Sequence, residues 1–214
     1  SLGIPSKHLT KEEALEIVPH LNPDAFTTAT FCHTDGHVNP FLMSEAYYLA
    51  AKKLGVEFHF FTEVTDIILE NETIQGVQTN QSFIETNKVV NAAGGYAQDI
   101  GQMVGLDIPV FSENHEILVT ERAKPMLGPM VMSFSKNIYC QQVPHGSILM
   151  GRNNPDALHS HDVSSSWQFL DKMAKTVNEI LPEVAKQRVI RTWGGSYNIS
   201  PDFQPIISDT KIDN

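Results

Sequence analysis

Lys88-Val89-Val90-Asn91-Ala92-Ala93-Gly94-Gly95 is the stretch on which the fold turns. An apolar, β-prone run passes into small residues and then two glycines, which describes a strand delivering the chain into a tight turn. A helix is predicted to follow from Tyr96 to Val104, with Gly105 able to end it. Small residues at the carboxyl end of a strand let a ligand approach the backbone, and free amides at a helix start favour an anion. Taken alone, the same unit reads equally well as a plain strand-to-helix turn.

Working upstream, Asn39 can cap a helix and Pro40 suits its first position. Leu42, Ala46, Leu49, Ala50 and Leu54 then fall on one face before Gly55, so a helix is expected over 40–54. Thr10-Lys11-Glu12-Glu13 has the form of a capping box and predicts a short helix over 11–18. Between these helices and the deciding stretch, Val56 to Phe60 alternates as a strand would. Val64 to Leu69, Thr73 to Thr79 and Phe83 to Thr86 read as a meander.

Downstream of Pro109 the pattern turns antiparallel. Strands are expected at Glu116 to Thr120, Asn137 to Val143 and Ser147 to Gly151, the last two joined by a Pro144-His145-Gly146 turn. Ser164 can cap a long helix to Leu181, with Trp167, Leu170, Met173, Ala174, Val177 and Leu181 as its core stripe. Arg188 to Trp193 returns as a strand, and Gly194-Gly195 is expected to open a turn-rich segment.

Composition narrows the function classes. The chain has 214 residues, 41% of them hydrophobic, enough for one large domain or two that share strands. Asp and Glu number 25 against 15 Lys and Arg, and no basic cluster could neutralise a phosphate backbone, so nucleic acid is not an expected partner. Apolar runs such as Ile67-Ile68-Leu69 fall far short of a membrane span. Two cysteines, Cys32 and Cys140, make no disulfide framework, and with no signal segment a cytoplasmic location is expected. The sequons at Asn71 and Asn198 then read as chance matches. The chain opens on Ser1-Leu2, which reads as a cloning remnant, and stops at Asn214 soon after Pro205-Ile206-Ile207, so a piece of a longer protein is expected.

Phosphate-loop, zincin, Cys-x-x-Cys and nucleophile-elbow signatures are absent, as is Gly-x-Gly-x-x-Gly. His33, Asp35 and His37, and separately His159 and His161, invite a metal, yet neither cluster has established ligand spacing, so none is expected. Gly194-Gly195-Ser196-Tyr197, followed by Ser200-Pro201-Asp202, offers close backbone approach and one aromatic hydroxyl.

The ordered set as a whole runs Asp35-Gly36-His37-Val38-Asn39-Pro40, helix, Gly55-Val56, Glu63-Val64-Thr65, Gly76-Val77-Gln78-Thr79, then Val89 to Gly94. It continues with Gly151, Trp193-Gly194-Gly195, Tyr197, Pro201-Asp202 and Pro205. It resembles the FAD-dependent amine oxidoreductases of the D-amino acid oxidase family, and within it the sarcosine oxidase β-subunit and glycine oxidase group. The resemblance implies a bound FAD. The backbone of Asn91, Ala92, Ala93 and Gly94 would face its diphosphate or ribose, and that of Val64 its adenine. Gly195 to Asp202, including Pro201, would lie against the isoalloxazine, with Tyr197 near the substrate. Tyr139 matches a tyrosine that contacts the substrate carboxylate, with Gln141 and His115 as neighbours.

The chain departs from that family in three places. The N-terminal dinucleotide fingerprint and the glycine-rich C-terminal segment are missing, which marks a central piece. Monomeric sarcosine oxidases tether flavin through a cysteine where this chain has Gly194-Gly195-Ser196, so the flavin is expected to be non-covalent there. Glycine oxidase relatives carry an arginine in that turn where this chain has Tyr197-Asn198, so the substrate's charge partner is expected to be Arg152 or to lie outside this piece.

The resemblance thus implies hydride transfer from a secondary amine or amino acid, sarcosine- or glycine-like, to flavin. Tyr139 and Tyr197 would act at the reacting centre, and partner subunits of a hetero-oligomeric dehydrogenase are possible companions. A non-catalytic binding or subunit module that kept the fold without flavin is the rival reading, and a metal hydrolase using His33, Asp35 and His37 a distant third. The architecture expected is α+β. Residues 1–36 and 106–196 form a mixed antiparallel-sheet substrate domain with helices on one face, and 37–105 with 197–214 a partial FAD-binding α/β domain. Apolar faces left uncovered in such a piece predict self-association.

Overall fold

The computed structural model describes residues 3–154, 159–210 and 212; Ser1 and Leu2, read above as a remnant, lie outside them. Helices mix with sheets whose described pairings are all antiparallel. In chain order the elements are β1 (Ser6–Leu9), α1 (Lys11–Ile17), β2 (Ala29–Cys32), α2 (Pro40–Lys53), β3 (Val64–Glu70), β4 (Thr73–Thr79) and β5 (Phe83–Glu85). There follow α3 (Ala97–Gln102), β6 (Phe111–Arg122), β7 (Val131–Ser133), β8 (Ile138–Gln142), β9 (Ser147–Arg152), α4 (Trp167–Ile180) and β10 (Val189–Ile199). Two compact units result. The first holds residues 3–38, 114–154 and 162–195, the second 39–113, 159–161, 196–210 and 212. Among the described residues no helix is long and apolar enough to cross a membrane.

The first unit is built on a five-stranded sheet in the order β10-β6-β9-β8-β7. Strand alternation sends Leu118, Ile138, Cys140, Ile148 and Met150 into one core with Phe169, Met173, Val177 and Ile180 of α4. Removing these side chains from water supplies most of the unit's stability. Cys140, 1% exposed, belongs to this core. Burial pushes its thiol up to about 12, so it is inert, and both cysteines are free.

Helix α4 departs from expectation at its start. Asp162 engages Ser164 through both its backbone amide (2.8 Å) and its hydroxyl (3.0 Å). Ser166 therefore caps instead, its hydroxyl accepting from the Phe169 amide at 3.1 Å. The buried Glu116 carboxylate accepts the Ser166 amide at 2.5 Å, bringing an anion to the helix N-terminus, where the dipole favours it. The buried stripe differs from the expected one as well. Phe169 and Ile180 are buried, while Trp167 is 83% exposed and Ala174 is also exposed. Periodicity located the stripe at Met173, Val177 and Leu181, and the departures lie at its start and on its flanks.

Sequence gave no sign of β1, β2 or β7, which are four, four and three residues long. The capping box at α1 is present, Thr10 and Glu13 exchanging bonds of 2.7 and 3.2 Å. Gly146, at φ +101°, closes the β8–β9 hairpin at the expected turn. Gly194 and Gly195 correct another expectation, for they lie inside β10. A Cβ at Gly194 would stand 2.2 Å from Asn114 Oδ1 and 2.7 and 2.9 Å from the Val163 and Ser164 carbonyl oxygens. Glycine is there for close approach, and its φ is not positive.

In the second unit β3, β4 and β5 form the expected meander. Phe83 lays its ring across Gly76, where a Cβ would meet Phe83 Cζ at 2.3 Å and the Ile84 carbonyl oxygen at 2.6 Å. Helix α2 begins as read, Asn39 Oδ1 accepting from the Phe41 and Leu42 amides. Its stripe is not buried. Phe41, Leu42, Leu49 and Leu54 are exposed, and α2 meets its surroundings through the half-buried Tyr48, whose ring lies 4.6 Å from Phe58 and 5.7 Å from Phe60. That packing corrects the expected strand at Val56 to Phe60. The alternation there records which rings reach Tyr48, with no ladder. Lys88 to Asn91 likewise pairs with no strand among the described residues. The expected helix over 96–104 is a 3-10 turn at Gly94–Tyr96 followed by α3, after which Gly105, at φ +73°, stops it.

Candidate functional site

The residues singled out by sequence fall in both units. In the first unit, register decides the geometry. Tyr139 pairs with Gly151 and Gln141 with Leu149 across β8 and β9, while Ile117 pairs with Gly151 across β9 and β6. Tyr139, Gln141 and Ile117 therefore occupy the sheet face opposite α4, and His115, two residues before Ile117, falls on that face as well. All four side chains are half-buried, a wall of mixed polar and apolar groups.

Arg152 is not brought to this wall. It pairs with Glu116 in the register, its Nη1 lies 3.5 Å from Thr176 Oγ1 of α4, and it lines a shallow pocket with Glu116, Ser166, Phe169 and Lys172. The odd–even rule of strands puts it on the helix side, one residue from where a partner for Tyr139 would have to be. Gly195 lies in β10, where an added Cβ would meet nothing within 4 Å.

In the second unit Asn91, Ala92 and Gly94 are exposed and Ala93 half-buried. The Asn91 side chain is spent locally, donating to the Ala97 carbonyl at 2.8 Å and accepting from the Ala93 amide at 3.3 Å. What this turn presents is backbone. Gly94 sits at φ +57° with open space where a Cβ would point, whereas a Cβ at Gly95 would stand 3.0 Å from Ser112 Oγ. Ser112 is buried, and its hydroxyl has no hydrogen-bond partner among the described residues. Peptide edges left open in this way give a ligand room to lie against the backbone. Val64 is half-buried at the head of β3, opposite Thr79.

Pro201 and Asp202 form a turn closed on itself. Ser200 Oγ donates to the Gln204 carbonyl at 2.7 Å and to Asp202 Oδ1 at 3.3 Å, and Asp202 Oδ1 accepts from the Gln204 amide at 3.1 Å. Tyr197 is exposed near the end of β10. His159 and His161 serve as stacking groups, their rings 3.6 Å from Phe111 and 4.0 Å from Tyr96. Among the described residues no three His, Cys, Asp or Glu side chains converge as metal ligands, His33, Asp35 and His37 included.

One residue of consequence carried no signal in the sequence beyond its place in the motif order. Gly151 lies directly beneath the Tyr139 ring, a relation that appears only once the β8–β9 register is known.

Comparison with known proteins is consistent along the whole sequence. A family model described as FAD dependent oxidoreductase, DAO, matches residues 1–214. The chain is 27% identical to sarcosine oxidase subunit beta of an Arthrobacter species, the match covering 99% of this chain and 53% of that protein. The crystal structure of L-proline dehydrogenase from P. horikoshii superposes with a TM-score of 0.93 at 34% identity, covering 99% of this chain and 57% of that one. Glycine oxidase from Geobacillus kaustophilus shares the fold, with a TM-score of 0.89 at 23% identity over 99% of this chain and 56% of that one. The chain thus spans about half the length of the relatives it matches. With a family match from its first residue to its last, the chain belongs to the DAO family of FAD-dependent oxidoreductases.

Proposed function

We propose that this chain supplies the substrate-facing sheet and part of the flavin-binding portion of an enzyme that oxidises a secondary amine or amino acid, sarcosine- or glycine-like. The observation that carries the reading is the juxtaposition of Tyr139, Gln141 and His115 on the sheet face that α4 leaves free, in a chain of this family. A bound flavin supplies the acceptor for the hydride equivalent that leaves the carbon next to the amine.

The chain's own residues bind and orient. The Tyr139 hydroxyl donates to the substrate carboxylate, the Gln141 amide extends the polar wall, and the His115 ring can donate or accept one further bond. Ile117 and its apolar neighbours on the same face keep water from the reacting carbon. In the second unit the backbone of Asn91 to Gly94 holds the diphosphate or ribose and that of Val64 the adenine. Gly195, Tyr197, Pro201 and Asp202 border the ring system, to which no cysteine at 194–196 can be tethered. We assign residues 1–36 and 106–196 to the substrate domain and 37–105 with 197–214 to the flavin domain. The Arthrobacter relative is a subunit beta, which supports partner subunits here as well.

The test is the visible absorption spectrum of the full-length protein purified without added cofactor. Flavin bands that bleach anaerobically on adding sarcosine, glycine or proline, and not on adding simple alcohols, are the expected outcome. A colourless protein that takes up no added FAD refutes the reading and leaves a binding module that shares the fold.

A further inference from the structure

We propose that Gly151 is a positioning residue for Tyr139, fixing the depth at which the phenol lies on the sheet. The inference rests on the reading of Tyr139 as a substrate contact.

Three observations carry it. Tyr139 and Gly151 are direct partners in the β8–β9 register, so their side-chain directions rise from the same face. A Cβ built at Gly151 would stand 2.1 Å from Tyr139 Oη, 2.2 Å from Cζ and 2.6 Å from Cε1. The far end of the ring, hydroxyl included, thus lies down over the glycine rather than standing up from the sheet. Finally, Gly151 is not among the glycines with positive φ, so its φ does not call for glycine. What the position requires is empty space, and the three atoms nearest to an added Cβ all belong to the Tyr139 phenol.

The consequence is geometric. Ordinary contact between a Cβ and the ring begins near 3.4 Å, so alanine at 151 lifts the hydroxyl by at least about 1.3 Å, away from the sheet and into the space assigned to substrate. A hydroxyl placed to meet a carboxylate cannot meet it from there, and displacements of about 1 Å cost on the order of a hundredfold in rate. Glycine at 151 therefore sets how close a carboxylate-bearing substrate can come to the sheet.

The experiment uses the full-length flavin-loaded protein with Gly151→Ala, Tyr139→Phe and the double variant. Sarcosine affinity is read from perturbation of the flavin spectrum, with acetate as an inert carboxylate, and kcat and KM are measured beside it. Tyr139→Phe is expected to weaken both ligands about tenfold or more. Gly151→Ala should weaken them at least as much in the tyrosine background and add little once the hydroxyl is gone, because a shared cause is non-additive.

An equal loss from Gly151→Ala in both backgrounds overturns the inference while leaving the reading of Tyr139 intact. No effect of Tyr139→Phe, or no binding of either ligand by the wild type, overturns that reading and the inference with it. Should Gly151→Ala fail to fold, Gly151→Ala with Tyr139→Ala decides the steric argument. Recovery of the fold supports it, and continued failure refutes it.

Discussion

Gly194 and Gly195 are adjacent in one strand, and the structure predicts opposite outcomes for the same substitution. Alanine at 194 would place a Cβ 2.2 Å from Asn114 Oδ1, 2.7 Å from the Val163 oxygen and 2.9 Å from the Ser164 oxygen. To restore ordinary contact these atoms must retreat by about 0.5–1.2 Å, and two of the three are backbone. The retreat strains the Gly194 amide bond to the Val163 carbonyl (3.1 Å) and the Asn114 side-chain bond to the Ser164 carbonyl (2.7 Å). Overpacking of this kind costs about 1–3 kcal/mol, and the backbone involvement argues for the upper end. With a urea dependence on the order of 2–3 kcal/mol per molar, the unfolding midpoint should fall by about 1 M. Alanine at 195 meets nothing within 4 Å, and its φ is ordinary. It should leave the midpoint unchanged or raise it slightly, by restricting the unfolded chain. Far-UV circular dichroism against urea reads both variants. Equal midpoints for the two alanines would refute the claim that space, rather than backbone freedom, selects glycine at 194.

Three further outcomes are expected. Phe169→Ala should lower stability by about 3–5 kcal/mol, whereas Trp167→Ala, at an exposed site two residues away, should move the thermal midpoint hardly at all. A thiol reagent should titrate Cys32 in the native protein and reach Cys140 only after denaturant is added; rapid modification of both would contradict the core assignment. The Arg188 side chain, and then its backbone amide, hold the Glu121 carboxyl below its ordinary value of 4.5. A depressed carboxylate contributes stability that is present above the ordinary value and lost as pH falls through the depressed one. Glu121→Gln should thus flatten the acid limb of stability against pH, and an unchanged limb would count against the pair.

How much was legible in the sequence depended on whether local chemistry or distant partners set the outcome. Caps written into the chain were readable: the Thr10–Glu13 box and Asn39-Pro40 both stand where their residue types require. Where two serines competed, at Ser164 and Ser166, only the Asp162 contact decides between them, and it lies in the folded turn. Alternation at Val56 to Phe60 reported a real face, but rings on Tyr48 produced it rather than a neighbouring strand. The Asn91 to Gly94 turn was legible as a place for close approach, since small residues say so directly. Which candidates share a face was not, because one residue of register separates Arg152 from the wall that holds Tyr139.

The meander offers a last consequence. Phe83 can lie where it does only because Gly76 is bare, and the close Ile84 carbonyl gives the strand no room to yield. As sequences drift, a larger residue at 76 is therefore not a neutral step from this starting point. It becomes passable only after the ring at 83 has shrunk and the strand has moved. The order of events is constrained, and the glycine dictates which mutational routes are open to its neighbour.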